Sequence, residues 1–161
     1  MKEMDIERDI IINSYYVIDY FNQNGESITN LKLQKLMYFM EGLYMVLTDE
    51  DYLFEQEFFA WNLGPVCKEL YDYYKECGNE NIELTEEKRK KIINFPNINK
   101  VFVEVLFKVF SGWSAYELVE LTHEQGSPWY HIKNNIEEES NQIVSKKETK
   151  IWLREKIKVE K

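Results

Sequence analysis

The sequence predicts a mainly α fold: a single compact helical domain with a minor short β or extended element around residues 53–62. Three observations predict it. Apolar residues recur at helical spacing in one segment after another. Capping residues and Gly or Pro stops separate those segments. The stretch after Asp49-Glu50-Asp51 carries Phe54, Phe58, Phe59 and Trp61, and is too short and too aromatic for a helix.

The first helix runs from about Ile6 to Gln23, with Ile10, Ser14, Val17, Ile18 and Phe21 on one stripe and Asn24-Gly25 as its stop. The second runs from about Asn30 to Leu47. Thr29 is its N-cap, and Ile28 and Leu33 have the spacing of a hydrophobic staple. Leu33, Leu36, Met37, Met40, Leu43, Tyr44 and Leu47 cover more than half its circumference, as expected of a central helix covered on several sides. Gly42 within it predicts close approach of another backbone. Gly64-Pro65 ends the extended element, and Pro65 is placed at the first position of a third helix. That helix carries Val66, Leu70, Tyr73 and Cys77 and stops at Gly78.

Thr85 caps a short charged helix containing Lys88 to Lys91, which Phe95-Pro96 breaks. A helix from about Asn99 to Phe110 is expected to bury Val101, Val105, Val109, Phe102 and Leu106. Ser114-Ala115-Tyr116-Glu117 is a capping box flanked by Trp113 and Leu118 as a staple, and its helix runs towards Gly126. Ser127-Pro128 starts another turn. After Glu137-Glu138-Glu139, a second capping box, Ser145 to Glu148, opens a last helix to about Lys158 with Ile151, Trp152 and Leu153 as its apolar patch. Residues 1–135 are read as the main domain and 136–161 as a C-terminal helical extension packing on it.

The chain has 161 residues, 44% of them apolar. A domain of that size buries roughly 70% of the surface of its unfolded chain, so no disulfide or metal staple is required. The net charge is −9. Residues 1–131 carry 12 basic and 23 acidic side chains, and residues 132–161 carry 8 and 6. So acidic a body repels phosphate backbones and argues against nucleic acid as a partner. No apolar run spans a membrane, and no apolar signal segment follows Met1-Lys2-Glu3. The expected location is the cytoplasm, with Cys67 and Cys77 reduced.

No residue pattern carries catalysis. The two histidines, His123 and His131, lie either side of a Gly-Ser-Pro break and match no metal spacing. There is no Gly-x-Ser-x-Gly elbow and no phosphate-cradling glycine loop. His123 is read as a group near a helix end and His131 as surface. The run Lys88 to Lys91 sits beside Glu86 and Glu87 and reads as a solvated helix face. The sequence thus predicts no enzyme, no catalytic or metal residue and no cofactor.

Three motifs in order do form a pattern. The first is Leu31-Lys32-Leu33-Gln34-Lys35-Leu36-Met37-Tyr38-Phe39. The second is Phe59-Ala60-Trp61-Asn62-Leu63-Gly64-Pro65-Val66. The third is Ser114-Ala115-Tyr116-Glu117-Leu118, followed by Leu121-Thr122-His123-Glu124 and Ser127-Pro128-Trp129. Together, over about residues 8–132, they resemble the Panacea domain of the SocA-like antitoxin family, also met in phage-associated proteins. Met37 stands where a leucine is usual, a volume-conserving exchange. The tail beyond about residue 135 carries less of the pattern.

The resemblance implies a helical domain that neutralises a cognate protein toxin by direct binding in a toxin–antitoxin system. It implies as an alternative an adaptor that delivers the toxin to a Clp-type protease. A DNA-binding autoregulator is a further alternative apart from the resemblance, since the joint from Asn22 to Leu36, with glycine in the turn, has the outline of a helix-turn-helix. The residues it marks are Leu33, Gln34, Lys35, Leu36 and Tyr38; Ala60, Trp61, Gly64, Pro65 and Val66; and Ser114, Leu118, Leu121, Thr122, His123, Pro128 and Trp129. Their expected role is mainly structural, with Leu33, Leu36, Met37, Trp61 and Trp113 holding the domain together. Gln34, Lys35 and Glu41 lie off the main apolar stripe. They are candidate polar contacts for the partner, with solvated surface as the plainer expectation.

Overall fold

The computed structural model describes residues 9–133 and 141–159. Residues 6–8 of the expected first helix, the Glu137 to Glu139 run and the 135/136 domain boundary lie outside them. The elements are α1 (Asp9–Gln23), α2 (Asn30–Thr48), β1 (Phe59–Trp61), β2 (Gly64–Val66), α3 (Lys68–Tyr74), α4 (Glu86–Lys90), α5 (Asn97–Phe110), α6 (Ala115–Thr122), α7 (Pro128–Lys133) and α8 (Lys146–Val159). A turn of 3-10 helix, Lys75–Cys77, extends α3 to Gly78. The fold is mainly α, as the periodicity predicts.

Helix α2 is the axis. Its neighbours are α8, α6, α5, β2, α3 and α1. Leu33, Leu36, Met37, Phe39 and Met40 are all fully buried. Thr29 Oγ1 accepts from Lys32 N at 3.3 Å, and the staple residues Ile28 and Leu33 are both inside. Leu47, at the end of the stripe, is 55% exposed. Helix α1 presents its predicted stripe to the core without exception.

Gly42 answers to a side chain, not to a backbone as expected. A Cβ on Gly42 would lie 2.1 Å from Leu153 Cδ1 and 3.5 Å from Thr149 Cγ2, both on α8. The glycine lets α8 lie close against α2, where Tyr38 Oη and Thr149 Oγ1 share a hydrogen bond of 2.8 Å. Gly42→Val is expected to lower stability by about 1–3 kcal/mol through overpacking, read as a lower midpoint in urea. An unchanged midpoint would show that α8 is not seated on this surface.

The extended element is a two-stranded antiparallel hairpin, with Phe59 opposite Val66, Ala60 opposite Pro65 and Trp61 opposite Gly64. Ile143 bridges to Phe59, and Ala60 N donates to Gln142 O, so the segment before α8 lies along the free edge of β1. Pro65 therefore sits in a strand and does not open a helix. Its φ suits either role, and cross-strand pairing decides. Helix α3 starts at Lys68, with Tyr74 buried where Tyr73 was expected.

Helix α5 departs from its predicted pattern more sharply. Phe102, Val103, Leu106 and Phe110 face α1 and α2, while Val101 is 51% and Val109 47% exposed. The large aromatic and leucine side chains take the core together with Val103, Val105 is half-buried against it, and Val101 and Val109 are turned outwards. Helix α6 has its capping box, with Glu117 N to Ser114 Oγ at 3.1 Å and Ser114 N to Glu117 Oε1 at 2.8 Å. It ends at Thr122, earlier than expected, with His123 as C-cap. On α8, Trp152 and Leu153 are buried and Ile151 is 51% exposed. No described helix is long and apolar enough to cross a membrane.

Candidate partner-binding site

The three sequence motifs meet in space. Helix α2 brings Gln34 and Lys35, the hairpin brings Trp61, Gly64 and Pro65, and α6 with the following turn brings Thr122, His123 and Trp129. Lys35 is fully buried, and its Nζ donates to Pro65 O at 3.0 Å. Burial among apolar groups disfavours the ammonium and lowers its pKa to about 7. Gly64 has φ +105°, and a Cβ there would lie 2.7 Å from Thr122 Oγ1 and 2.9 Å from Lys35 Cε. Only glycine fits between the lysine stem and the threonine.

Around Lys35 the polar groups are stitched in sequence. Thr122 Oγ1 donates to Val119 O at 2.7 Å, and Ser127 Oγ donates to Thr122 O at 2.7 Å. Trp129 Nε1 donates to Trp61 O at 2.6 Å, which ties α7 to the hairpin. His123 stacks flat on Trp129, centroids 3.6 Å apart and planes within 7°. Its pKa is lowered, first by burial and then by the charge of Lys35. Its Nε2 is buried and has no hydrogen-bond partner.

Gln34 clamps the start of α3 to α2. Its Oε1 accepts from Cys67 N at 3.1 Å, and its Nε2 donates to Asn30 Oδ1 at 3.0 Å. Asn30 Nδ2 in turn donates to Tyr71 O at 3.3 Å. Glu41 lies two turns further along α2. Its Oε2 accepts from Leu53 N at 3.0 Å and Phe54 N at 2.9 Å, and Lys146 Nζ meets both its oxygens at 2.8 Å.

The surface reading of Gln34, Lys35 and Glu41 is thereby corrected. Their exposures are 1%, 0% and 2%, so none offers a side chain to a partner in this structure. The physical reason is that α2 is covered all round, so positions off its leucine stripe are also interior. Of the other motif residues, Leu33, Leu36, Tyr38, Ala60, Pro65, Val66, Leu118 and Pro128 are buried, and Ser114 is spent on its cap. Burial also raises the pKa of Tyr38. Leu121 and Trp129 are half-buried.

What remains open lies directly above this hub. A groove of about 400 Å³ runs between the hairpin, α3 and α6, lined by Leu31, Trp61, Leu63, Val66, Tyr71 and Tyr116, with Gln34 and Asn30 at its floor. Leu63 is 46%, Tyr71 37% and Tyr116 65% exposed. Trp61 and Tyr71 meet edge to face at 5.3 Å. Asn62, Asn79 and Lys75 supply the polar rim.

Sequence reasoning missed Leu63, Tyr71 and Tyr116 as open residues. A leucine at the tip of a two-residue hairpin connection, and a tyrosine on the outer side of a capping box, are the signals that point to them. The described residues contain no group of three or more His, Cys, Asp or Glu side chains placed to hold a metal ion. Cys67 and Cys77 are free thiols.

The signature residues thus define a helical scaffold domain built on an internal polar hub beneath an open aromatic groove. The chain belongs to the SocA-like antitoxin family: the family model described as "Antitoxin SocA-like, Panacea domain" matches residues 33–130, over half its length, and takes in the first motif from Leu33 on and the other two whole. It is 31% identical over 116 residues to "Antitoxin SocA" of Caulobacter vibrioides (strain NA1000 / CB15N), covering 66% of this chain. The match spans 61% of that relative's own length. No solved structure shows significant similarity to the chain.

Proposed function

We propose that this protein is an antitoxin that neutralises a cognate protein toxin by direct, stoichiometric binding, with no catalysis, and that the toxin docks in the groove between the hairpin, α3 and α6. The observation that carries the reading is the set of large apolar side chains held open above the family's own motifs. The hub residues fix Trp61 and the hairpin, and the hairpin carries Leu63 into the groove that Tyr71 and Tyr116 also line. Aromatic anchors held rigid in a groove are what strong protein–protein contacts use. The occupant is a toxin segment with an apolar anchor on a basic surface, which the net charge of −9 attracts over distance. Such a complex buries about 1,200–2,000 Å². Residues 1–135 act as the binding domain, and 136–161 as an extension that braces it through α8.

The test is co-expression with the neighbouring small gene as the candidate toxin, with and without the double substitution Leu63→Asp and Tyr116→Ala. Both side chains are exposed, so folding should be intact by circular dichroism. Rescue by the wild type and a purifiable one-to-one complex are expected. The variant should bind at least ~30-fold more weakly, the loss of about 2 kcal/mol that one anchor supplies. Undiminished binding by the variant would move the interface elsewhere. Protease-dependent disappearance of the toxin, with no stable complex, would replace masking by delivery to a protease.

A further inference from the structure

Helix α8 is attached to the body differently from the other long helices. Among its described side chains it buries two large apolar ones, Trp152 and Leu153, where α1 buries Ile10, Ile11, Tyr15, Val17, Ile18 and Phe21. Its sequence carries six basic and two acidic residues, while residues 1–131 carry 23 acidic against 12 basic. The opposite charges meet at named pairs. Lys146, Lys150 and Arg154 follow one another at single-turn spacing. Lys146 pairs with Glu41 at 2.8 Å, and Lys150 and Arg154 pair with Asp49, the C-cap of α2, at 2.9 and 2.8 Å. Further along α8, Lys156 Nζ meets both oxygens of Glu124 at 2.7 Å, and Trp152 Nε1 donates to Glu124 Oε2 at 3.3 Å. The two ends differ in burial. The Glu41–Lys146 pair at the base is buried, whereas the Asp49 side chain is 78% exposed and Arg154, Lys156 and Glu124 are each open to solvent by a third or more.

We propose that α8 is an ion-latched strap: it swings off α2 about its buried base at Lys146, ahead of any opening of the core, when Asp49 and Glu124 are screened or neutralised. The inference goes beyond the toxin-binding reading and needs neither the toxin nor the groove, which takes no residue of α8. Segments that open before the rest of a fold are those with few buried apolar contacts and exposed polar ones, as α8 has. Exposed ion pairs are screened by salt and buried ones much less, so the far end of α8 yields first and the base last. The sign of the salt effect sets α8 apart from the body. A chain of net charge −9 repels itself, so salt steadies the body by relieving that repulsion. Helix α8 is held by attraction, so salt loosens it. Opening lifts Leu153 off Gly42, parts Trp152 from Phe39 (ring centroids 6.3 Å apart) and breaks the Tyr38–Thr149 hydrogen bond. It thereby uncovers the face of α2 around Phe39 and Gly42, which stays backed by Phe110 at 4.9 Å from Phe39. A macromolecule that holds the strap open must be basic, since it has to take over Asp49 and Glu124.

Native-state amide exchange of the full chain, at about 0.05 M and about 0.5 M NaCl, tests the inference, with α1 as the internal reference. The hydrogen-bonded amides of α8 are expected to exchange at least ~10-fold faster than those of α1 at either salt. Raising the salt should speed exchange in α8 by about 3-fold and leave α1 unchanged or slower. The double substitution Asp49→Asn with Glu124→Gln removes the latch and keeps its shape. Asparagine accepts the left-handed conformation of residue 49 (φ 63°), and glutamine can still accept from Trp152 Nε1. This variant should exchange faster in α8 at low salt, by about 5-fold, lose the salt response there, and match the wild type in α1. Exchange of α8 and α1 at one common rate overturns the proposal, because the two then open only together. So does a salt effect of the same sign in both helices, or a variant whose α8 exchanges as the wild type does.

Discussion

Replacing Glu41 with alanine is expected to cost about 3–5 kcal/mol, because it breaks a buried ion pair and leaves its partner behind. Glu41 is 2% exposed, and Lys146 meets both its carboxylate oxygens at 2.8 Å. The same carboxylate accepts the N–H groups of Leu53 and Phe54, which would otherwise be unmatched where the chain leaves α2 for the hairpin. Lys146 also donates to Phe54 O at 3.2 Å and Gln56 O at 2.7 Å, and stands at the first position of α8. One carboxylate thus joins the centre of α2, the 53–56 segment and the start of α8. A chain of this size shifts its Tm by roughly 2–4 °C per kcal/mol, so the midpoint should fall by about 10 °C. Amide exchange in α8 should accelerate more than exchange in α1, since α8 loses its tether. The paired change Glu41→Leu with Lys146→Met removes both charges and should recover most of the loss. A loss below about 1 kcal/mol for Glu41→Ala would mean that the pair is not buried in solution.

Signals that depend on a few neighbouring residues are legible in this sequence. The caps at Thr29, Thr85 and Ser114 stand where the side-chain chemistry puts them, because a cap is decided within four residues. Faces are less legible. The α5 sequence offers two apolar stripes, Val101-Val105-Val109 and Phe102-Leu106-Phe110, and periodicity cannot rank them. Side-chain size ranks them once α1 and α2 supply a wide surface to fill. Pro65 has the fixed φ that both a helix start and an edge strand accept, so its role depends on Ala60, five residues back, and on Lys35, thirty residues back. Lys35 is the extreme case. A lysine between Gln34 and Leu36 reads as a polar interruption, and its burial follows only from elements that close over α2 from later in the chain.

The hub gives the family motifs a physical meaning that a contact-residue reading would miss. Gly64 must be glycine because Lys35 and Thr122 occupy the space of its Cβ. Trp129 is held because its indole N–H ends on Trp61 O. These residues set the position of the groove and leave its chemistry to Leu63, Tyr71 and Tyr116.

Lys35 should make the protein more stable as pH rises from 7 towards 10. The ammonium is unfavourable in the fold, with a pKa of about 7 against 10.5 for an exposed lysine. Above 10.5 both states are neutral at this residue and its burial carries no proton penalty. As pH falls from 10.5 to 7 the unfolded chain takes up a proton that the folded chain refuses, and stability drops by about 1.4 kcal/mol per pH unit. Below 7 both states carry the proton and Lys35 adds no further slope. His123 has the same sign lower down: its pKa is depressed, so its contribution is complete above 6.5 and is lost on acidification. Tyr38 has the opposite sign. Its pKa is raised, so above 10 the unfolded chain ionises first and stability falls again. Between pH 7 and 9 the lysine therefore dominates, and the midpoint in urea should rise by the equivalent of about 2–3 kcal/mol. Lys35→Met keeps the length of the side chain and removes the charge. It gives up one hydrogen bond to Pro65 O, about 1 kcal/mol, and is expected to be the more stable protein at pH 7 with a flat profile up to pH 9. Parallel profiles for the two proteins over that interval would show that Lys35 keeps its proton inside the fold, and that the hub is hydrated in solution.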